Sequence, residues 1–351
     1  MSTGKGGPDE PRSDMTDKAR QTSGPQSALR RMFASISAAT GTLRRQAASS
    51  SLAALREVRI PQSWRRPRRL ILIGAVLLAI VLIFVTRSGT FNPHPAPGTT
   101  VFHVGDRVVL RFVHSTGNVH VSPGPAGQVR IKENRSGMTD AIHTSYRQQG
   151  DAITVAVSVE TGLPVATWVD FDVAVPQNAS TNVAVAAGTL EASGLNGNFV
   201  LKDSNGSIGA AKVSGAVTLQ TTSGSISASQ VSGQVSAITD NGTIMTSSTR
   251  LDGHSLLQAQ NGTINFHGSL GPGSQTVVRN TNGAIGMTLP GKSSVLVDAR
   301  TPHGSINSGF SSLRVGSDSD GRVADGHLGK GTPARLRIHT MGGSISLNQG
   351  P

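Results

Sequence analysis

One stretch of the sequence matches a nucleotide-binding motif. Residues Gly286–Ser293 read GMTLPGKS, which is the letter pattern of a phosphate-binding loop. Such a loop works only between a strand and a helix whose N-terminus holds the phosphate. The residues that follow, Ser294–Asp298, read SVLVD and have the pattern of a β-branched strand. The sequence therefore predicts no nucleotide site at this position.

Histidine is the next residue type that could carry chemistry, as a metal ligand. His103, His114 and His120 are close enough in sequence to share a region, but no acid or cysteine is spaced to complete a metal site. A calcium-binding nonapeptide repeat would need Asp at its corners, where this chain has Asn or Ser. The chain has no cysteine, which excludes disulfides and thiol catalysis. We therefore predict no metal and no other cofactor.

A polysaccharide lyase or hydrolase built on strand repeats would need converging carboxylates and aromatic platforms. Tyr146 is the only tyrosine of the chain, and Trp168 is the only tryptophan in its C-terminal four-fifths. The sequence therefore predicts that the protein is not an enzyme and has no catalytic residue. The acidic residues of the repeat region share no position in the repeat: Asp203, Asp240, Asp252 and Asp298.

Glycine positions indicate what the chain builds instead. Glycine recurs at a strict step of nine residues from 188 to 242, and an apolar residue stands two places after each of these glycines. Residues two apart point to the same face of a strand, and Asn-Gly or Ser-Gly suits a tight corner. The predicted structural corner glycines are Gly188, Gly197, Gly206, Gly215, Gly224, Gly233, Gly242, Gly262, Gly283, Gly304 and Gly343.

The complete repeat spans eighteen residues. Seven places after successive glycines, apolar and polar residues alternate, as in Leu195, Ser204, Val213 and Thr222. One coil is therefore predicted to hold two strands and two corners, and strands one coil apart lie parallel at about 4.8 Å. The alternative is a β-hairpin at each Asn-Gly pair. The predicted core column contains Ile208, Ile226, Ile244, Ile264, Ile285, Ile306 and Ile345.

These repeats predict an all-β fold of the β-solenoid type, similar to a parallel β-helix, with about 18–21 residues in each coil. Residues 101–175 alternate without the nonapeptide step, and we expect them to form the first, irregular coils and to cap the stack. Residues 315–332 are rich in Gly, Asp and Ser and are predicted to be a surface loop. The predicted domain spans residues 101–348.

Charge and hydropathy divide the N-terminal part of the chain. Residues 1–69 carry 14 Lys/Arg and 5 Asp/Glu, so they hold +9 of the total net charge of +12. They are predicted to be a basic, largely disordered cytoplasmic tail, in which 28–60 could form an amphipathic helix. Leu70–Thr86 contains no charge and is predicted to be a single transmembrane helix before a Pro-rich linker at 87–100. The positive-inside rule places the N-terminus in the cytoplasm; a cleaved signal peptide and a twin-arginine export signal are the alternatives.

Several stretches resemble a known family, and they occur in the family's order. They are Val108–Val121 with its Gly-Asn-Val turn, the strand Val169–Pro176, the tandem Gly-Ser/Thr-Ile units, and the closing Leu336–Thr340 followed by Gly343–Ile345. The chain is similar over about 250 residues to the bacterial β-strand-repeat domain of unknown function catalogued as a putative adhesin, related to autotransporter adhesin heads. Family members usually carry Asp where this chain has Ser or Thr before the Ile. The resemblance implies a fold more than a function.

The functional prediction combines the membrane segment with the repeats. We expect a membrane-anchored extracytoplasmic, adhesin-like binding or scaffolding module, single-pass in the cell membrane, with its C-terminal domain outside. The predicted partners are the lipid bilayer, a surface protein or glycan, and anionic lipid headgroups for the basic tail; no nucleic acid is expected. The alternative is a single-span regulatory protein whose tail contacts a cytoplasmic partner, anionic lipid or nucleic acid.

Overall fold

Segments of alternating apolar and polar residues fold as strands throughout the computed structural model, which describes residues 92–93, 98–105 and 107–351. A short 3-10 turn at Thr139–Ala141 is the one helical element in these residues.

Twenty-five strands are described. The first nine are β1 Asn92–Pro93, β2 Thr99–His103, β3 Val109–Thr116, β4 Val119–Pro123, β5 Gln128–Ser136, β6 Ile142–Gln149, β7 Ala152–Val159, β8 Trp168–Val175 and β9 Ser180–Ser193. The next eight are β10 Asn196–Ala211, β11 Ser214–Ser223, β12 Ile226–Ser229, β13 Ser232–Asn241, β14 Ile244–Ser247, β15 Thr249–Leu251, β16 His254–Asn261 and β17 Ile264–Leu270. The last eight are β18 Gln275–Asn282, β19 Ile285–Pro290, β20 Val295–Thr301, β21 Ile306–Ser308, β22 Arg314–Asp318, β23 Gly321–Leu328, β24 Ala334–Gly342 and β25 Ile345–Gly350.

Parallel pairing at a constant step of eighteen residues organises the middle of this sheet. Phe199 of β10 pairs with Thr181 of β9 and with Val217 of β11, and Val217 pairs with Val235 of β13. The step grows to twenty where Ser236 pairs with Leu256, and to twenty-one where Leu256 pairs with Val277. Equivalent residues of the repeat therefore lie beside each other across five or more strands.

The order of strands in space departs from their order in sequence near the C-terminus. β24 pairs on one side with β18, through Arg337 and Val277, and on the other side with β20, through Arg337 and Asp298. It separates two strands that a continued step of twenty-one residues would have made neighbours. β25 lies in the same way between β19 and β21.

Antiparallel strands lie at both ends of the parallel ladder. At one end β5 pairs antiparallel with β8 and with β2, and β6 pairs antiparallel with β7. At the other end β23 pairs antiparallel with both β20 and β22. The predicted surface loop at 315–332 is therefore mostly a hairpin, closed by Ser319 and Asp320. Glycine and Asp, which we interpreted as loop residues, are equally typical of the tight turn in a hairpin.

The predicted fold class is wrong. We expected a β-solenoid of coils of about 18–21 residues preceded by a transmembrane helix, whereas the described residues form an all-β sheet of mixed parallel and antiparallel strands. The nine-residue glycine step covers only 188–242, and outside it strands reverse direction at turns or enter the ladder out of sequence order. Within the described residues, no helix is long and apolar enough to cross a membrane.

The predicted N-terminal segments fall largely outside these residues. The basic tail at 1–69 and the transmembrane segment Leu70–Thr86 lie wholly outside the described part, so both stay predictions. Within the predicted linker at 87–100, Asn92 and Pro93 pair antiparallel with β6, and Thr99 begins β2.

Inward-facing apolar side chains form a continuous core along the ladder. Leu201 and Leu219 of the neighbouring strands β10 and β11 are fully buried, and Phe112 packs edge to face on Phe171 with ring centroids 4.8 Å apart. Aromatic pairs in this arrangement stabilise a core by about 0.5–1.5 kcal/mol beyond burial alone. The core holds the outward faces of the strands at fixed positions.

Candidate binding surface

The predicted corner glycines lie in two columns along the ladder. At Gly224 an added Cβ would stand 1.8 Å from the carbonyl oxygen of Gly206, and at Gly215 it would stand 2.1 Å from the carbonyl oxygen of Gly197. Only glycine lets successive corners approach so closely. The longer column runs, in spatial order, through Gly188, Gly206, Gly224, Gly242, Gly262, Gly283, Gly343 and Gly304, and the shorter one through Gly197, Gly215 and Gly233.

The seven isoleucines of the predicted core column also lie in direct register. Each is at least 97 % buried. Their spatial order is Ile208, Ile226, Ile244, Ile264, Ile285, Ile345 and Ile306, so Ile345 lies between Ile285 and Ile306. These residues support the surface and are shielded from any ligand.

A buried polar column runs beside the longer glycine column. In several repeats the residue three places before the corner glycine donates a hydrogen bond to the carbonyl of the glycine in the neighbouring repeat. Thr221 Oγ1 donates to the Gly206 carbonyl at 3.2 Å, and Asn280 Nδ2 donates to the Gly262 carbonyl at 2.8 Å. Thr239, Thr301 and Thr340 make the same contact at 3.1–3.2 Å. The column satisfies carbonyls that the close corners bury.

Asp203 occupies the same position in its repeat but carries a carboxyl group. The residue is only 5 % exposed, and neither carboxyl oxygen has a hydrogen-bond partner of normal geometry, although the backbone N–H groups of Ser204 and Asn205 lie close to it. Burial raises the pKa of Asp203 to about 6, and the backbone N–H groups of Asn205 and Ser204 partly oppose this rise. The protonated carboxyl is the form that can donate to a carbonyl, as Thr221 and Asn280 do.

The residues first considered for chemistry are dispersed. The motif Gly286–Ser293 covers the end of β19 and the turn into β20, with no helix after it. His114 is buried and donates from Nε2 to the Val169 carbonyl at 2.8 Å; burial lowers the pKa of His114 to about 4. His120 Nδ1 instead lies 3.5 Å from Glu191 Oε2. Within the described residues no three His, Cys, Asp or Glu side chains are grouped to hold a metal ion.

The carboxylates of the repeat region are equally separate. Asp252 pairs with Arg250 at 3.1 Å, and Asp298 pairs with Arg300 at 3.0 Å, both at the surface. Asp240 accepts a hydrogen bond from Gln260 at 2.9 Å, and its pKa is raised because the group is partly desolvated. Of these three acids, only Asp298 has an acidic register partner, Asp325 of β23.

Four arginines converge on the outward side of β18, β24 and β20. They are Arg279, Arg300, Arg335 and Arg337, all exposed, and we call this surface, together with His339, the arginine face. β24 provides its centre because Arg335, Arg337 and His339 alternate with the buried Leu336 and Ile338. Alternate residues of a strand share one face, so these three side chains project on the same side.

The register fixes how the five side chains are spaced. His339 pairs on one side with Arg279 and on the other with Arg300. Neighbouring strands lie about 4.8 Å apart, and residues two apart on one strand about 6.6 Å apart. The arginine face therefore has one row along β24 and a second row across three strands, crossing at His339.

The charges on this face are only partly neutralised. Arg300 is paired with Asp298 at 3.0 Å and lies 3.7 Å from Asp318 of β22. Hydrogen bonding to Asp298 raises the pKa of the Arg300 guanidinium, which stays charged. In the described part of the chain, no ion pair or side-chain hydrogen bond engages Arg279, Arg335 or Arg337. The arginine face therefore presents at least three cations for an external anion.

The surface is also concave. A shallow depression of about 410 Å³ is lined by Val277, Arg279, Asp298, Arg300, Arg337 and His339, with Ile338 beneath. Leu296, on the β20 side of Arg335, is 41 % exposed. Apolar carbon is thus available beside the guanidinium groups of Arg335 and Arg337.

The sequence analysis did not predict the arginine face, although the three basic residues of β24 can be recognised from their local pattern. Residues 335–339 read RLRIH, an alternation of basic and apolar residues that by itself places Arg335, Arg337 and His339 on one side of a strand. The contributions of the two neighbouring strands cannot be recognised locally. Arg279 and Arg300 join them only because β24 enters between β18 and β20.

Several solved structures are similar to this chain, among them the following two. One is described as a putative cell adhesion protein from Clostridium sporogenes ATCC 15579, with 11 % identity and a TM-score of 0.24, covering 73 % of this chain and 100 % of the other. The second is described as a putative adhesin from Bacteroides fragilis NCTC 9343, with 13 % identity and a TM-score of 0.30, covering 73 % of this chain and 98 % of the other. No protein-family model and no curated protein sequence matches the chain.

Proposed function

We propose that this protein is a non-catalytic, adhesin-like binding module. The observation that carries the proposal is the arginine face: an exposed, concave group of cations in which Arg279, Arg335 and Arg337 have no ionic partner within the described residues. Unpaired cations held close together repel each other, and an anionic partner that binds between them relieves this repulsion. The arginine face is therefore suited to an anionic partner.

The support beneath the face suits binding. Every strand that contributes an arginine is paired on both sides, and the side chains beneath, Leu336 and Ile338, are fully buried. A site on such a sheet loses little backbone freedom when a ligand binds, which preserves affinity. The arrangement is suited to recognition of a surface and does not depend on closure around a substrate.

The dispersed acids argue for binding without catalysis. Hydrolysis of a glycosidic bond by two carboxylates needs them about 5–10 Å apart across a cleft. Asp298 instead holds Arg300, Asp203 is buried in the ladder, and Asp240 accepts from Gln260. Each acid already has a structural role or surroundings unsuited to a substrate.

We also propose that the module acts outside the cell, anchored by Leu70–Thr86. The uncharged segment and the basic residues before it support this orientation. Single cysteines at Ser27→Cys or Ser269→Cys in this cysteine-free chain can be labelled in intact cells with a membrane-impermeant thiol reagent. We expect labelling at position 269 alone. Labelling at position 27 alone would show that the orientation is the opposite of the one proposed.

An array experiment tests the binding function. The full chain, purified in mild detergent, is applied to an array of neutral glycans, acidic glycans and surface proteins, with an excess of free peptide 1–69 to compete for interactions of the basic tail. We expect retention on a restricted set of spots. Uniform absence of retention, with the protein folded by circular dichroism, would contradict the proposed function.

A further inference from the structure

The spacing of the arginine face suits a linear chain of anionic groups. Arg335 and Arg337 lie about 6.6 Å apart along β24, and Arg279 and Arg300 lie about 9.6 Å apart across it. Arginine binds carboxylate and sulfate groups through two parallel hydrogen bonds, which fixes orientation as well as charge. A polymer with one anion in each unit or every second unit can contact two or three of these side chains at once.

Other side chains of the face match the neutral parts of a sugar. Val277 lies beside Arg337, and Leu296 lies beside Arg335, so that apolar carbon adjoins two of the cations. The C–H faces of a pyranose ring can pack on such aliphatic side chains. Asp298, between Arg337 and the β23 hairpin, keeps acceptor capacity for a sugar hydroxyl while it holds Arg300.

The same surroundings disfavour two other polyanionic partners. Single-stranded nucleic acids bind through aromatic side chains that stack on bases, and no Phe, Tyr or Trp lines this depression. Insertion into a membrane surface needs protruding apolar and aromatic side chains, whereas this face is concave. Trp168 and Tyr146 lie on β8 and β6, at the other end of the ladder.

We propose that the arginine face binds an acidic polysaccharide, with Arg279 and Arg337 holding its carboxylate or sulfate groups and Val277 and Leu296 contacting its sugar rings. This inference rests on the proposed binding function and names the ligand class of that same surface. β24 is then the central recognition strand of the module, because its insertion between β18 and β20 assembles the two rows of cations.

Arginine protection measures this binding directly at the proposed residues. The full chain is treated with phenylglyoxal, which modifies accessible arginines, with and without polygalacturonate, and the modified peptides are quantified by mass spectrometry. Arg111 is the internal control, because it is exposed and lies at the far end of the outward column that also contains Val277 and Arg337. We expect polygalacturonate to slow modification of Arg279 and Arg337 several-fold and to leave Arg111 unchanged. Equal protection of all three, or none at Arg279 and Arg337, would overturn the proposal.

A double variant of the arginine face and a single variant outside it provide the second measurement. Arg279→Gln with Arg337→Gln removes two unpaired surface charges, and Arg111→Gln removes one charge of the same type elsewhere. We expect the double variant to lose about tenfold or more in affinity for immobilised polygalacturonate, and the control to stay within about twofold. Neutral dextran should bind none of the proteins. Stronger retention of single-stranded DNA than of polygalacturonate by the arginine face would also overturn the assignment.

The two proposals fail in different ways. If the array shows selective binding that the double variant does not change, the module binds a partner through another surface and only the acidic-polysaccharide assignment is wrong. If the array shows no binding of any partner, the proposed function fails, and the assignment fails with it.

Discussion

Two parts of the parallel ladder use similar strand pairing for different purposes. From β9 to β13 the step is a constant eighteen residues, and the outward positions hold mostly small or neutral residues such as Ala184, Ala216, Thr218 and Ser236. From β16 to β20 the step changes, β24 enters out of order, and the outward positions hold the arginine face. The regular repeats build a supporting sheet, and the interruption of the repeats brings the charged residues of the arginine face together.

The difference has a physical basis in the corners. In the regular part, each glycine carbonyl fills the space where the next corner would need a Cβ, so each of these corners must be glycine. Beyond Gly242 the same glycine column continues, but the number of residues between successive corners increases. The additional residues form the turns and hairpins at the surface. Insertions between fixed corners are therefore the means by which this fold can vary a binding face.

The largest expected effect comes from deletions in the regular part. Removal of Gly206–Ser223 joins Asn205 to Gly224 and removes one whole step, which leaves every column in register. Removal of Gly206–Ser214 exchanges the two kinds of corner and moves Thr222 into the buried place of Val213. An unpaired buried polar group costs about 1–3 kcal/mol, and Asp240 would follow into the place of Val231.

We expect the eighteen-residue deletion to fold with a modest loss of stability and the nine-residue deletion to remain unfolded, because several such costs approach a typical margin of about 5–15 kcal/mol. Thermal melts of both full-length proteins, followed by circular dichroism and limited proteolysis, measure the difference. Similar melting of the two proteins would show that the step of eighteen does not determine stability.

A smaller effect is expected from one methyl group in a glycine column. In Gly215→Ala the new Cβ would stand 2.1 Å from the Gly197 carbonyl oxygen, at a φ of +117° that disfavours any side chain. We expect a loss of about 3–5 kcal/mol in the free energy of unfolding, measured by urea denaturation.

Gly209→Ala is the matched control in β10, because its Cβ would make an ordinary contact 3.4 Å from Glu191 Cγ. Its expected change is below about 1 kcal/mol. Equal losses at the two positions would mean that close approach of the corners does not require glycine.

The smallest of these effects on stability is expected at Asp203, and it depends on pH. Its pKa is raised to about 6 from an ordinary value of 3.8, so its protonated form stabilises the fold fully below about pH 4 and this contribution is lost as the pH rises through 6. Asp203→Asn, with an amide that can donate as Asn280 does, should therefore raise the free energy of unfolding at pH 8 by about 1–2 kcal/mol and change it little at pH 4.

Urea denaturation at several pH values checks this, with Asp252→Asn as the control, since the Asp252 side chain is 41 % exposed and pairs with Arg250. A gain from Asp203→Asn that is equal at pH 4 and pH 8 would show that the carboxyl does not titrate within the ladder.

How far the sequence predicts this molecule also differs between the two parts. In the regular part, glycine spacing and alternation are enough to place strands and their partners, because each step repeats the local information of the previous one. The same local information does not predict that Ile345 lies between Ile285 and Ile306, because all three would be buried equally well in the order of the sequence. The choice depends on long-range pairing of β24, which no local pattern encodes, and the arginine face depends on that choice.

The central claim is that β24 lies between β18 and β20 and so assembles the arginine face. In this cysteine-free chain, the pair Gln275→Cys with Arg335→Cys tests it, because these residues are exposed register partners on β18 and β24. The pair Gln275→Cys with Leu296→Cys is the alternative that a continued step of twenty-one residues would bring together. Disulfides require Cα atoms within about 7 Å, and two strand spacings amount to about 9.6 Å. Under mild oxidation of the folded, full-length protein, we predict a disulfide between positions 275 and 335 and none between 275 and 296; the reverse result would contradict the insertion of β24 and the surface built on it.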